Sequence, residues 1–305
     1  MLPAVHRNIK RVIFALFLVP GFFSSTCLAG DGRFPVKVMD GLGREVVVSS
    51  LPRRIVSAVP SNTEILYDLG LSERVIAVTS HCGLTCDVTG KRVLAGWSTL
   101  DVEKVRSLKP DLVLAFGGLQ VPLVDRLDRA GIPTFCFSPR TVAETLDQLR
   151  RVGRITGTEE RADDLVRSAG ERLRGVRERI LRVAPEEQVT FLRLISPREG
   201  IVAGRYSFQH DVLVQAGGRG VMEDFLVHYG RVDLSRIRTL DPQVIVLNGD
   251  DEVAVKRNFA AMDGWKDLRA VREGRIRVMP CRQICHPNFR IVEVVEVLSR
   301  FLYPD

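Results

Sequence analysis

Two short segments of the sequence each place a histidine beside a pair of cysteines that are four residues apart. These residues are His81, Cys82 and Cys86 in the first segment and Cys281, Cys285 and His286 in the second. Thiolate sulfur and imidazole nitrogen are ligands that soft metal ions prefer. The six side chains are therefore a candidate site for a soft metal ion, or for the metal of a chelate.

The same cysteines allow two other interpretations. In an oxidising compartment, the local pairs Cys82–Cys86 and Cys281–Cys285 are typical of disulfides. The run from Cys281 to His286 is also similar to a c-type haem attachment site, although its spacing is one residue longer than usual. The pattern leaves disulfides, metal ligation and haem attachment open.

The rest of the sequence contains no recognisable catalytic motif. A Gly-x-Ser-x-Gly nucleophile elbow, a P-loop lysine motif and a His-Glu-x-x-His zinc motif are all missing. Single serine, histidine and aspartate residues occur in any chain of this length and carry no argument. We expect a protein that is not an enzyme and requires no cofactor; a secreted α/β enzyme without a recognisable nucleophile motif is the alternative.

The first 29 residues are typical of a secretory signal peptide. Arg7, Lys10 and Arg11 precede the apolar run 12–18, and small residues lead to a cleavage site after Ala29. Cleavage removes three of the 44 basic side chains and no acid, leaving 41 basic against 37 acidic ones. We therefore expect a periplasmic protein that does not bind nucleic acid. Lipid attachment at Cys27 is an alternative.

Short apolar runs alternate with helical segments along most of the chain. Strands are predicted at 35–39, 45–48, 55–58, 75–78, 112–115, 134–137, 189–194, 244–247 and 276–279. Continuous apolar runs fit strands whose two faces are both covered by helices, which is typical of parallel α/β sheets.

Between 158 and 183, apolar residues recur at every third or fourth position among arginines and acids. This pattern predicts one long helix, ended by Pro185. The predicted fold is α/β, with two lobes of mainly parallel sheets joined by one long rigid α-helix. The predicted limits are 1–29 for the signal peptide, 30–153 for the N-terminal ligand-binding lobe, 154–185 for the bridging helix and 186–305 for the C-terminal ligand-binding lobe.

Ligands of open α/β sheets bind beyond the carboxyl ends of the strands. Strand 55–58 is followed by Ser61, Asn62 and Glu64. Ser61 and Glu64 fit a capping box, and the helix that it opens would offer free amides to an anionic group. We therefore predict Ser61 and Asn62 as ligand-binding residues; the alternative is that this segment only caps the helix. The two Cys/His segments follow strands 75–78 and 276–279, at the rim of the same cleft.

Several motifs together resemble those of a known family. They include Pro60-Ser61-Asn62-Thr63-Glu64 and Leu108-Lys109-Pro110-Asp111, with further stretches at 102–105, 204–218, 240–245 and 287–290. The chain resembles the periplasmic substrate-binding proteins of ABC importers for cobalamin, haem and iron-siderophores over nearly all residues after the signal peptide. The resemblance implies two lobes, one long joining helix and a ligand in the cleft between the lobes.

Within that family, the sequence is most similar to the cobalamin-binding branch. Trp97 holds the place of an aromatic residue that precedes an acidic helix there. The resemblance implies that Trp97 faces the ligand, because aromatic faces suit a large planar or corrin-like molecule. Phe116, Tyr206 and Tyr229 are further candidates for ligand contact, and packing in the core is the alternative for each of these aromatic residues. A corrinoid is the first candidate ligand, and haem or an iron-siderophore is the next.

Family members also present one exposed glutamate per lobe to arginines of the membrane permease. Glu103 matches this position in the first lobe. The corresponding position in the second lobe is Ser235, so Asp233 is the candidate contact there.

The leading prediction is an exported solute-binding protein that captures a metal-containing small molecule and delivers it to an ABC permease in the inner membrane. The alternative is a periplasmic soft-metal-binding or redox protein that uses the Cys/His residues on the same scaffold. We expect a monomer.

Overall fold

The computed structural model describes residues 33–96 and 100–304. The predicted signal peptide, the lipidation alternative at Cys27 and the predicted ligand contact Trp97 lie outside these residues. Within the described ranges, no helix combines the length and the apolar composition that crossing a membrane requires.

The strands are β1 (Val36–Met39), β2 (Glu45–Val48), β3 (Ile55–Ser57), β4 (Val75–Thr79), β5 (Arg92–Leu94), β6 (Leu112–Phe116), β7 (Thr134–Phe137), β8 (Thr190–Ser196), β9 (Ile201–Ala203), β10 (Arg219–Gly220), β11 (Tyr229–Arg231), β12 (Val244–Asn248) and β13 (Ile276–Met279). The helices are α1 (Pro60–Asp68), α2 (Val102–Ser107), α3 (Val121–Arg129), α4 (Val142–Thr156), α5 (Glu159–Ile180), α6 (Phe208–Gln215), α7 (Leu234–Leu240), α8 (Glu252–Ala260), α9 (Arg269–Arg272), α10 (Cys281–Ile284) and α11 (Ile291–Leu302).

A five-stranded parallel sheet with the order β5-β4-β3-β6-β7 forms the centre of the N-terminal lobe. Ile55 of the central strand β3 pairs with Val75 of β4 on one side and with Leu112 of β6 on the other. All residues of β3 are buried, because side chains from both faces of the sheet pack into hydrophobic clusters. Burial on both faces explains the continuous apolar runs in the sequence.

The C-terminal lobe is centred on β8, which pairs in parallel with β12, and β12 pairs in parallel with β13. On its other side, β8 pairs with the antiparallel strand β9, and β9 pairs in turn with the antiparallel strand β11. The sequence analysis did not predict β9, β10 or β11, which are only two or three residues long. Long-range pairing creates these strands, because a segment that short has no hydrophobic period of its own.

The helix α5 joins the two lobes and belongs to both hydrophobic cores. Its 22 residues span about 33 Å, and they fall within the predicted range 158–183. Val166 packs into the N-terminal core, Val176 into the C-terminal core, and Leu173 against both. The predicted fold class, two α/β lobes joined by one long helix, is confirmed.

The helix α4, which the sequence analysis left out, precedes α5 and packs against it. The chain reverses between them at Gly157, whose φ of 70° lies in the left-handed region that favours glycine. The predicted start of the bridge at residue 154 therefore lies inside α4.

The predicted capping box at the start of α1 is wrong. The helix begins at Pro60, Ser61 lies inside its first turn, and the cap residue Val59 makes no side-chain cap hydrogen bond. Proline is pre-organised for the first helical position, so Ser61 is displaced from the cap. The carboxylate of Glu64 instead reaches residues of the C-terminal lobe.

Candidate ligand-binding cleft

A cavity of about 630 Å³ lies between loops of the two lobes. Its N-terminal wall includes Ser61 at the start of α1, His81 and Leu84 after β4, and Phe116 at the end of β6. These residues follow neighbouring parallel strands, whose carboxyl ends meet at one edge of the sheet. The prediction that this edge forms a cleft agrees with the cavity.

The C-terminal wall of the cavity combines aromatic side chains with the short helix α10. It includes Phe208 at the start of α6, Tyr229 at the start of β11, and Cys281, Cys285 and His286 in and after α10. Asp250, after β12, adds a carboxylate. The cleft therefore has aromatic surface on both sides and thiols on one side.

The structure brings seven of the predicted site residues together in this cavity. They are Ser61, His81, Phe116, Tyr229, Cys281, Cys285 and His286. Leu84, Phe208, Gln209 and Asp250 also line it and were missed. Leu84 and Asp250 follow β4 and β12, so the carboxyl-end rule could have found them. Phe208 and Gln209 follow the antiparallel strand β9, to which the rule does not apply.

The structure places other predicted residues elsewhere. Asn62 is completely buried inside the N-terminal lobe, where its Nδ2 donates a hydrogen bond to the carbonyl of Ala115 at 2.9 Å. It faces the sheet because it follows Ser61 by one helical position, about 100° around the helix. Tyr206 is 41% exposed but is not part of the cavity lining.

The predicted six-residue metal site is not assembled. In the two described ranges, no group of three or more His, Cys, Asp or Glu side chains is arranged to hold a metal ion. Cys82 is buried in the N-terminal core with its Sγ 3.3 Å from Thr79 Oγ1, and Cys86 lines a separate cavity. Among the cysteines of the described residues, Cys281 and Cys285 line the cleft, as do His81 and His286. Equal sequence spacing thus gives different side-chain placements in the two segments.

The cysteines Cys82, Cys86, Cys136, Cys281 and Cys285 are free thiols in the structure, and the two predicted disulfides stay predictions. A hydrogen bond with Cys285, helped by the charges of His286 and Arg193, lowers the pKa of Cys281. The hydrogen bond with Cys281 and burial raise the pKa of Cys285. Burial raises the pKa of Cys86 to about 11.

Glu64 links the two lobes beside the cleft. Its Oε1 lies 3.0 Å from His286 Nδ1, and its Oε2 accepts a hydrogen bond from Asn288 Nδ2. The side chain is only 5% exposed. Burial by itself would raise the pKa of Glu64, but the hydrogen bonds and charge of its partners lower it below the ordinary value. Nearby, Arg290 Nη1 donates to Asp68 Oδ1 at 2.7 Å, a second link between the lobes.

The two predicted docking positions lie on exposed surfaces. Glu103, in the first turn of α2, has a side chain 69% exposed and pairs with Arg106 at 2.6 Å. Asp233 precedes α7 and is exposed, as is Ser235. Their roles in permease docking stay predictions.

Comparison with known proteins places the chain in a family. A family described as "Periplasmic binding protein" matches residues 55–282. An uncharacterized ABC transporter substrate-binding lipoprotein, YvrC of Bacillus subtilis, is 29% identical over 277 residues, which cover 89% of this chain and 87% of the relative. The vitamin B12-binding protein of Yersinia pseudotuberculosis is 29% identical over 198 residues, covering 64% of this chain and 69% of the relative.

Solved structures show the same fold. The periplasmic vitamin B12 binding protein BtuF of Vibrio cholerae superposes with a TM-score of 0.72 at 22% identity, covering 82% of this chain and 96% of that chain. A Ni-His complex of CeuE from Helicobacter pylori reaches a TM-score of 0.77 at 17% identity and covers 88% of each chain. The chain belongs to the periplasmic binding protein family, whose members are substrate-binding proteins of ABC transporters and not enzymes.

Proposed function

We propose that the protein captures a metal-containing small molecule in the cleft and delivers it to an ABC permease in the inner membrane. A cobalamin-like corrinoid is the first candidate ligand, and haem or an iron-siderophore is the next. The observation that carries this proposal is the cavity between the lobes, which has Phe116 on one wall and Phe208 and Tyr229 on the other. Relatives named for vitamin B12 binding support the order of candidates.

Aromatic walls suit such a ligand for a physical reason. Phe and Tyr side chains bury large apolar area and have few rotatable bonds to fix. A volume of about 630 Å³ lies in the range of roughly 300–1,000 Å³ that small-molecule pockets occupy.

Calorimetric titration of the exported protein with cyanocobalamin, haemin and a ferric siderophore tests the proposal. We expect one of the three to bind saturably at one molecule per chain. Failure of all three to bind would contradict the proposed ligand class.

We expect Phe116→Ala and Tyr229→Ala each to weaken binding of that ligand by about tenfold or more, because losing one buried aromatic contact costs roughly 1.5–3 kcal/mol. Tyr206→Ala is the matched control. Tyr206 and Tyr229 are 41% and 45% exposed, but only Tyr229 lines the cavity. An equal loss in the Tyr206 variant would mean that the ligand does not sit in this cavity.

For delivery, we propose that Glu103 and Asp233 contact basic residues of the permease. Glu103→Arg and Asp233→Arg are expected to reduce uptake of the labelled ligand by cells that depend on this protein. Their ligand affinity should remain unchanged, because neither residue lines the cleft. Glu160→Arg, at an exposed position of α5, is the control. It reverses a surface charge away from the proposed docking residues and should leave uptake unchanged. Unchanged uptake in both docking variants would contradict this docking mode.

We further propose residues 30–153 and 186–305 as the two ligand-binding lobes, and export to the periplasm through cleavage after Ala29. The lipoprotein name of the Bacillus subtilis relative supports the alternative of a lipid anchor at Cys27.

A further inference from the structure

Two thiols lie one helical turn apart in the wall of the cleft. Cys281 opens α10 and Cys285 follows its last residue, with Cys285 N donating to Cys281 O at 2.8 Å. Side chains four positions apart on a helix have Cβ atoms about 5–6 Å apart, and a disulfide needs about 3.5–4.5 Å. Closing a disulfide therefore requires only a small tightening of one short terminal turn.

The two thiols differ in access and in protonation. Cys281 is exposed, Cys285 is half-buried, and both line the same cavity. The hydrogen bond between them favours the thiolate at Cys281 and the protonated thiol at Cys285, since the pKa of the first is lowered and that of the second is raised. An accessible thiolate beside a protected thiol is the arrangement of an attacking and a resolving cysteine.

The buried side chain of Arg193 places a positive charge near the two thiols and favours the thiolate form of Cys281. Arg193 in β8 is 1% exposed, and its guanidinium donates to Leu194 O at 2.7 Å, Val246 O at 3.2 Å and Asn248 Oδ1 at 3.0 Å. All three acceptors are neutral, and Nε has no hydrogen-bond partner within the described residues. The positive charge of Arg193 acts on both Cys281 and Cys285.

Other charged groups also face Cys281. His286, directly after Cys285, favours the thiolate, whereas the carboxylate of Asp250 after β12 opposes it. The Cys281 thiolate is negatively charged and partly neutralises the positive charge of the buried Arg193 guanidinium. A buried charge without a counter-charge costs folding free energy.

We propose that Cys281 and Cys285 form a thiol–disulfide exchange site whose substrate is a low-molecular-weight disulfide such as glutathione disulfide. The Cys281 thiolate attacks one sulfur of that disulfide, forms a mixed disulfide and releases one glutathione thiolate. Cys285 then loses its proton to solvent and attacks the Sγ of Cys281, which releases the second glutathione thiolate. The two protein thiols are oxidised to one intramolecular disulfide, and one glutathione disulfide is reduced to two glutathione molecules.

The segment with Cys82 and Cys86 provides an internal control. It has the same spacing, but Cys82 is buried and burial raises the pKa of Cys86 to about 11. Arg290, and not Arg193, is the arginine whose charge lowers the pKa of Cys86, against the larger effect of burial. These two thiols should remain reduced under conditions in which Cys281 reacts.

Mass spectrometry of the fully reduced exported protein, incubated with glutathione disulfide at neutral pH, tests the proposal. The wild type should lose two hydrogens in the peptide that contains both 281 and 285. Cys285→Ser should stop with one glutathione attached at Cys281, and Cys281→Ser should react at least tenfold more slowly. Cys86→Ser should behave like the wild type.

Two results would overturn the exchange site. One is oxidation of Cys82 and Cys86 as fast as that of Cys281 and Cys285. The other is a Cys285→Ser protein that gains no glutathione. The experiment contains no transport ligand, so its outcome does not depend on whether the proposed cobalamin-type function is correct.

Discussion

Replacing Glu64 by alanine is expected to lower the free energy of unfolding by about 3–5 kcal/mol, the usual cost of removing one partner of a buried charged pair. His286 Nδ1 and Asn288 Nδ2 both lose their acceptor in this variant. They are buried or half-buried, so water replaces the carboxylate poorly. Because these partners belong to the other lobe, the loss falls on the contact between the lobes. Urea unfolding at neutral pH measures it.

The same contact should depend on pH in a defined direction. The pKa of Glu64 is lowered in the folded protein, so its stabilising contribution is complete above the unfolded-state pKa of about 4.3. The contribution is lost as the pH falls through the lower folded-state pKa. The stability difference between wild type and Glu64→Gln should therefore shrink below about pH 4.3.

Glu293→Gln is the matched control for Glu64. Glu293 also pairs with an arginine, Arg172 at 3.5 Å, but its side chain is 52% exposed. An exposed pair of this kind contributes about 0–1 kcal/mol. Similar losses of unfolding free energy in the Glu64 and Glu293 variants would mean that burial of the Glu64 contact adds nothing to stability.

Much of the fold follows from local patterns, because the central strands are buried on both faces. β7 and β13 begin and end at the residues predicted from their apolar runs. The helix α4 was also accessible from the sequence, since Val142, Leu146 and Leu149 share one buried face. The antiparallel extension by β9 and β11 was not, because only pairing with β8 makes those short segments strands.

The sequence predicted which loops form the candidate site, but it did not predict which side chains of those loops point into the cleft. The carboxyl-end rule led to Ser61, Cys281 and Cys285, and the family resemblance led to Phe116; all four line the cleft. It could not separate Ser61 from Asn62, which lie on different sides of one helical turn. Nor could it separate the two Cys/His segments, because identical spacing does not reveal which thiols are buried in the core.

No sequence pattern indicated Arg193, which lies beside the proposed thiol exchange site. Its removal is expected to lower the free energy of unfolding substantially. It lies in the central strand β8, among apolar residues. Arg193→Ala leaves a cavity and three acceptors without their donor, at Leu194, Val246 and Asn248. We expect a loss of about 3–5 kcal/mol, in line with large-to-small changes in cores.

Arg193→Met separates the volume of this side chain from its charge. Methionine fills most of the space and removes a buried charge, so the remaining cost is that of the orphaned acceptors, about 1–3 kcal/mol. Urea unfolding should therefore rank Arg193→Ala as less stable than Arg193→Met. Equal losses would mean that the cavity contributes nothing and that the lost donors and the lost charge account for the whole cost.

The reactivity of Cys281 provides a second measurement on the same variants. Without the guanidinium, the pKa of Cys281 should rise towards the ordinary thiol value of about 8.5, because one of the charges that favour the thiolate is gone. The pH dependence of iodoacetamide alkylation should shift upwards in Arg193→Met and stay near the wild-type curve in Arg193→Lys, which keeps a positive charge. An unshifted curve in Arg193→Met would show that the hydrogen bond from Cys285 and the charge of His286 suffice to hold the thiolate.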